Sequence, residues 1–293
     1  MTNAPHATMT IPAEMPVHES DRELMDALLL IAERAGHIVM DYYGDEAKIK
    51  VEIKEDESPV TAADKAAEVF ILGALNTLTP DIPVVSEEAA AAGEIPQVGE
   101  LFWLVDPVDG TKEFLSGNGE FTVNIGLIEK GAPVAGVVHA PAKGMTWVST
   151  NLCVFFEEGY EPVMAQVRDI PEEGATVVAS RRHGQNEDLE AFVSRRKVHE
   201  TISAGSSLKI CLIASGRADL YPRFGPTMEW DTAAAHAVLL AAGGSLSDVD
   251  GDPLLYGKTE FRNSFFVAEG EHLDAGFDLE DGPVTEADLP KDS

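Results

Sequence analysis

The chain has 293 residues, 44% of them hydrophobic, with 21 Lys and Arg against 51 Asp and Glu and a formal charge of −30. That length supplies a core for one large domain or two smaller ones. The acidity argues against nucleic-acid polymers, whose phosphates need cationic neutralisation, and against electrostatic attachment to an anionic membrane. Cys153 and Cys211 are the two cysteines. They have no metal-ligand spacing and read as free thiols in a reducing cytoplasm. No apolar run is long enough for an integral membrane segment, and no Lys or Arg precedes Arg22 as a secretory signal would require. The expectation is a cytoplasmic protein, monomeric or homodimeric.

Residues 1–20 are rich in Pro, Thr, Met and Ala without periodicity and predict a flexible extension. Leu24, Leu28, Ile31, Ala35, Ile38 and Tyr42 recur at a helical period that stops at Gly44. A strand is expected at 49–53, then a helix opening at Thr61. A short strand, 82–85, ends in Ser86-Glu87-Glu88, and 89–100 reads as a loop. Trp103 to Val105 is a strand, and residues 121–142 form a hairpin turning near Lys130-Gly131, followed by a strand at 145–149. The second half begins near Thr176 with a strand, then a helix from Glu187 to Arg196. "GSSLKICLIASGRADLY" reads as helix then strand, "DTAAAHAVLLAAGG" as a helix with a glycine stop, and "SFFVAEG" as a last strand. The expected units are therefore 1–20 as an extension, 21–175 and 176–270 as two mixed α and β subdomains, and 271–293 as an acidic tail.

Acidic residues gather at the ends of these elements. "WLVDPVDGTKEF" ends an apolar run in Asp106 and Asp109, where burying unpaired charge is costly. Asp64 fits a capping box with Thr61, and Asp231 an N-cap. Asp106 and Asp109 alone would pass as turn formers, and Glu87 and Glu88 as a solvated pair. Together, Glu87, Asp106 and Asp109 lie where strands stop, and Asp64 and Asp231 where helices start. Strand ends and helix starts on one edge commonly form a ligand crevice. An oxygen-only donor set suits Mg²⁺ or Mn²⁺, and a pair of such ions can clamp a phosphate. Gly110-Thr111-Lys112 then opens a helix whose free N–H groups suit a phosphate.

At these residues the sequence resembles the lithium-sensitive, magnesium-dependent phosphatases of the inositol monophosphatase and fructose-1,6-bisphosphatase superfamily. "DPVDGTKEF", "NGEFTVNIGLIEKGAPVAGVVHAPA", "GSSLK" at 205–209 and "LYPRFGPTMEWDTAAAHAV" at 220–238 are similar to its bacterial 3'(2'),5'-bisphosphate nucleotidase branch. Lys112-Glu113-Phe114 separates that branch from inositol monophosphatases, which usually carry Thr-Asn-Phe there.

The resemblance implies a layered αβαβα sandwich with the site in a cleft between two subdomains. It implies one Mg²⁺ at Glu87, Asp106 and the Val108 carbonyl, and a second at Asp106, Asp109 and Asp231. Asp64 would act with Glu87 and Thr111 on the attacking water, with a third, weaker ion as an option. Gly110 and Thr111 would meet the scissile phosphate. Ser206, Lys209, Arg223 and His183 would hold the nucleotide, although Arg182 stands where many relatives have serine. The implied activity is hydrolysis of adenosine 3',5'-bisphosphate to AMP and phosphate, clearing a by-product of sulfate assimilation. The rivals are an inositol or sugar phosphate phosphatase and a non-catalytic metal- or nucleotide-binding protein. Peripheral attachment at the inner membrane, described for some relatives, is the alternative localisation.

Overall fold

The computed structural model describes residues 9–44, 51–53, 59–180 and 187–270. His183 and the acidic tail, 271–293, lie outside the described residues. Residues 9–18 differ from the flexible extension expected of 1–20. Ile11 is buried with Met25, Leu28 and Leu29, and its N–H donates to Asp26 Oδ1 at 2.8 Å. The Arg22 guanidinium donates to the carbonyls of Ile11, Pro12 and Met15 at 2.8, 2.9 and 3.0 Å. Composition concealed this because the cation that gathers those carbonyls lies beyond the segment itself.

The chain then runs α1 (Glu19–Met40), β1 (Val51–Ile53), β2 (Pro59–Thr61), α2 (Ala62–Leu78), β3 (Val84–Ser86), α3 (Glu87–Ala91), β4 (Leu101–Asp109) and α4 (Thr111–Ser116). It continues β5 (Thr122–Glu129), β6 (Ala132–Ala140), β7 (Met145–Ser149), β8 (Cys153–Glu157) and β9 (Val163–Met164). The remainder is β10 (Ala175–Ala179), α5 (Glu187–Ser194), β11 (Val198–Ser203), α6 (Leu208–Ala214), β12 (Leu220–Arg223), α7 (Glu229–Ala241), β13 (Ser245–Asp248) and β14 (Phe266–Glu269). Among the described residues, β3 to β9 form a seven-stranded sheet in sequence order. A five-stranded sheet has the order β11-β10-β12-β14-β13, and β1 pairs with β2.

Side-chain alternation along β4 shows how the layers assemble. Trp103 and Val105 point into a core with α1 and α2. Phe102 and Leu104 point the other way, into a core shared with α6, α7 and the inner face of the five-stranded sheet. Apolar on both faces, β4 reads in sequence as an unbroken hydrophobic run. Helix α5 covers the outer face of the second sheet, Phe192 packing with Val177 and Leu220. The result is the αβαβα sandwich expected.

Five strands and one helix were not foreseen, β2 because it is only three residues long and runs directly into α2. Strands β9, β11 and β13 are sheet margins; β9 is only two residues long, and polar side chains in β11 and β13 erase the apolar alternation. Strand β8 is an apolar run hidden between loops. Helix α3 occupies part of the segment read as a loop, its alanines too uniform to show a period.

One contact sets the spacing of the layers. Gly126 of β5 pairs with Gly136 of β6, and α7 lies directly on them. A Cβ on Gly136 would come 2.6 Å from the Ala234 carbonyl oxygen, and one on Gly126 would come 2.8 Å from Ala234 N. Helix backbone therefore meets strand backbone, with only alanines on the helix side. No helix among the described residues is long and apolar enough to cross a membrane.

Gly136→Ala should cost about 1–3 kcal/mol, the usual penalty for overpacking. Chemical denaturation would show it as a lower midpoint with an unchanged slope. An unaltered midpoint would mean that α7 can lift away without cost.

Candidate active site

The C-terminal end of β4 is bulged. Asp106 lies opposite Asn124 and Asp109 opposite Thr122, so β4 takes three steps where β5 takes two. A bulge re-aims the side chains beside it and frees Pro107 from the ladder. The Val108 N–H donates to Asp106 Oδ1 at 2.9 Å. The strand then stops at Gly110, whose φ of 90° lies in the left-handed region that favours glycine. Helix α4 begins at the next residue, Thr111.

Asp64 caps its helix with one oxygen and faces the residues after β4 with the other. Its Oδ2 accepts the Thr61 N–H at 2.9 Å and the Thr61 hydroxyl at 2.5 Å, which caps α2. Its Oδ1 faces the Thr111 hydroxyl at 3.4 Å, and that hydroxyl is 3.3 Å from the Val108 carbonyl. Asp231 likewise caps α7, its Oδ2 accepting the Met228 N–H at 2.8 Å. Glu87 is the first residue of α3. Glu68, one turn after Asp64 on α2, fixes that start: its Oε1 accepts the Ser86 hydroxyl and, at 3.1 Å, the Ala89 N–H.

The charges of these residues are coupled. Burial lifts the Asp106 carboxyl well above its ordinary range, and repulsion from Glu87, Asp109 and Asp231 lifts it further. Asp231 is lifted well above its range by burial, then by Asp109 and Glu87. Burial lifts Asp109 to about 6, against the opposing Lys209 charge and Ser207 N–H. Asp64 is raised by burial, against its hydrogen bonds to Thr61.

Among the described residues no group of three or more His, Cys, Asp or Glu side chains closes into a ready-made metal cage. The fit to divalent cations rests instead on donor chemistry and shared repulsion. Four carboxylates from β4, α3 and α7 face one space in which their charges oppose one another. Hard, doubly charged cations relieve that opposition, and the donors are all oxygen.

Beside the carboxylates lies a pocket of about 760 Å³, open mouth included, with Asp109, Gly110, Ser206, Lys209, Arg223 and Asp231 on its wall. Asp64, Glu87, Asp106, Val108 and Thr111 do not line that pocket and are joined to it through the contacts and charges above. Lys209 is only 6% exposed. Its Nζ donates to the Ser206 carbonyl at 2.5 Å and lies 5.2 Å from the centre of the Tyr221 ring. Burial pulls its pKa down to about 8, against the raising effect of Asp109. Arg223 spends one N–H on the Pro226 carbonyl at 3.1 Å, while its buried Nε has no protein acceptor. Ser206 adopts φ 49°, sparsely populated backbone that tends to gather at functional sites.

The family model described as "Inositol monophosphatase family" matches residues 20–274. The chain belongs to the inositol monophosphatase family. Within that family it is 47% identical over 244 residues to the 3'(2'),5'-bisphosphate nucleotidase CysQ of Salmonella typhimurium, spanning 83% of this chain and 98% of that one. It is 33% identical to the Haemophilus influenzae protein of the same name, spanning 86% and 94% of the two chains. The crystal structure of CysQ from Bacteroides thetaiotaomicron, a bacterial family member, superposes with a TM-score of 0.71 at 34% identity, covering 85% of this chain and 98% of that one.

Sequence reasoning missed four residues that support the site: Glu68, Thr122, Asn124 and Ser207. Asn124 did carry a signal. A lone amide inside an apolar strand must find a buried partner.

Replacing Asp106 by Asn removes one of the repelling charges. In chelator, Asp106→Asn should be more stable than the wild type at neutral pH by roughly 0.5–2 kcal/mol. A carboxyl whose pKa is raised on folding loses its stabilising contribution as pH climbs from the unfolded value towards the folded one. The variant's advantage should therefore be absent near pH 4 and grow as pH rises. Denaturation at several pH values tests this, and a destabilised variant at pH 7 would make Asp106 a structural turn residue.

Proposed function

We infer that the chain hydrolyses adenosine 3',5'-bisphosphate to AMP and phosphate, a 3'(2'),5'-bisphosphate nucleotidase that clears this by-product of sulfate assimilation. One observation carries the choice within the family. The pocket has the carboxylates at one end and two recessed cations, Lys209 and Arg223, on its wall. A substrate with a second phosphate needs such cations, whereas an inositol or sugar monophosphate does not. The 47% identity to the Salmonella nucleotidase supports the same choice.

Glu87, Asp106, Asp109, Asp231 and the Val108 carbonyl would hold two Mg²⁺ ions, Mn²⁺ being an alternative. When bound, such ions supply Lewis-acid neutralisation of the phosphoryl group and lower the pKa of water. The other contributions come from the chain's own atoms. Thr111 and Gly110, at the start of α4, border the scissile phosphate. The Thr111 hydroxyl, between Asp64 Oδ1 and the Val108 carbonyl, takes a proton from the incoming water as it passes its own to Asp64, and Glu87 acts on the same water. Burial raises the Asp64 pKa, which moves it in the direction that suits a general base. Lys209, Arg223 and Ser206 hold the phosphate that is not cleaved, and Arg223 Nε gains the acceptor it lacks. His183 would complete the nucleotide contacts from outside the described residues. No cysteine serves as nucleophile, because burial lifts the Cys211 thiol well above its usual range.

Phosphate release from a panel of esters should require Mg²⁺ or Mn²⁺, cease on chelation and return on adding Mg²⁺. Undiminished turnover after exhaustive chelation would remove the metal reading. Charge-assisted hydrogen bonds contribute on the order of 1.5–3 kcal/mol each. Lys209→Ala with Arg223→Ala should thus lower kcat/KM for adenosine 3',5'-bisphosphate by at least about tenfold relative to a small monophosphate. Equal losses on both substrates would place the two residues in support of the carboxylates. Faster wild-type turnover of inositol 1-phosphate than of the bisphosphate would reverse the choice of substrate.

A further inference from the structure

Ser207 is not on the substrate-contact list above, yet it is tied to both halves of the site. Its N–H donates to Asp109 Oδ2 at 2.5 Å. Its hydroxyl donates to Asn124 Oδ1 at 2.7 Å and lies 2.8 Å from Thr122 Oγ1. Asn124 Nδ2 in turn donates to Thr122 Oγ1 at 3.2 Å. Each hydroxyl has one proton, so only one assignment satisfies all three contacts: Asn124 amide to Thr122, Thr122 to Ser207, Ser207 to the Asn124 carbonyl oxygen. The result is a closed ring of three hydrogen bonds among side chains with exposures of 0%, 0% and 3%. Hydrogen bonds arranged in this way polarise one another, and a buried member left unpaired is costly.

The position of the ring gives it a role. Asn124 and Thr122 lie opposite Asp106 and Asp109 across the bulge. On the other side, Ser207 adjoins Ser206 and precedes Lys209 by two residues. The Gly205 N–H, donating to Glu120 Oε2 at 2.9 Å, anchors the start of the same segment. The bulged carboxylates are therefore joined to the cation-bearing segment through Ser207, alongside the direct attraction between Asp109 and Lys209.

We propose that Ser207 is a positioning residue that couples the carboxylates of β4 to Lys209, so that cation binding at one end of the pocket orders the phosphate-holding segment at the other. The consequence for substrate use rests on the nucleotidase reading; the coupling itself does not. The ordering makes recognition of the uncleaved phosphate conditional on cation occupancy, and by linkage the reverse also holds.

The test is amide hydrogen exchange on the full chain, with and without Mg²⁺ and no substrate. In the wild type Mg²⁺ should slow exchange in both 105–109 and 207–209, the latter by at least about fivefold, the lower end of ordinary coupling. In Ser207→Ala, which keeps the backbone N–H to Asp109 but opens the ring, the protection should persist at 105–109 and shrink at 207–209. Thr122→Val breaks the ring from the other side, on β5, and should behave alike. It also decides the matter if Ser207→Ala fails to fold. Ser207→Thr, which keeps the hydroxyl, should restore the protection. A merely structural serine would lower stability in both segments without separating them. Full protection of 207–209 in both ring-breaking variants, or none in the wild type, overturns the proposal. Phosphate release from adenosine 3',5'-bisphosphate is scored separately. Its absence alongside the separated protection pattern would reject the nucleotidase reading and leave the coupling standing.

Discussion

The approach of α7 to the backbone of the seven-stranded sheet is the contact on which the site depends. Gly126 and Gly136 present no side chains, and Ala233 and Ala234 present the smallest, so the helix lies lower than ordinary helix–sheet packing allows. That depth brings Asp231, in the first turn of the helix, level with the end of β4. A single methyl group on either strand would lift the helix and separate Asp231 from Asp109. The apolar layers supply most of the burial energy. The glycine pair decides where that energy places the carboxylates.

The same packing gathers like charges in a poorly solvated space. Asp106, Asp109 and Asp231 all have carboxyls raised above their ordinary range, and burial is the first cause in each case. The cations beside the cluster offset this repulsion only in part: Arg223 opposes the rise at Asp231 and Lys209 that at Asp109, yet both carboxyls stay raised, and Lys209 is itself disfavoured by burial. A site assembled in this way is primed for doubly charged ions and for the anionic substrate they attract.

Much of this was legible in the sequence, for identifiable reasons. Asp106 and Asp109 stood out because charge at the end of a buried strand needs a partner. The β5–β6 hairpin announced itself through alternation and Lys130-Gly131. The glycines that seat α7 were visible as letters but not as a contact, since only the three-dimensional register sets Gly126 against Gly136 and both against Ala234. Ser207 was equally opaque. Its partners are 83 and 85 residues away, and no local period encodes such a meeting. Residues 9–18 misled because composition describes a segment alone, while Arg22 lies outside it. The marginal strands β9, β11 and β13 misled because edge strands shed the hydrophobic pattern by which strands are recognised.

The two oxygens of Asp64 do different work, one holding the start of α2 and the other facing Thr111, and Asp231 similarly secures the start of α7. On the proposed function, chemistry and architecture thus share the same side chains. In a lineage released from selection for turnover, mutations at Asp64 or Asp231 would still be purged, because they loosen a helix. Asp106 secures no helix start of this kind, and loss of its charge would ease the fold. Decay would therefore begin there. An intact Asp106 says more about a living enzyme than an intact Asp64 does.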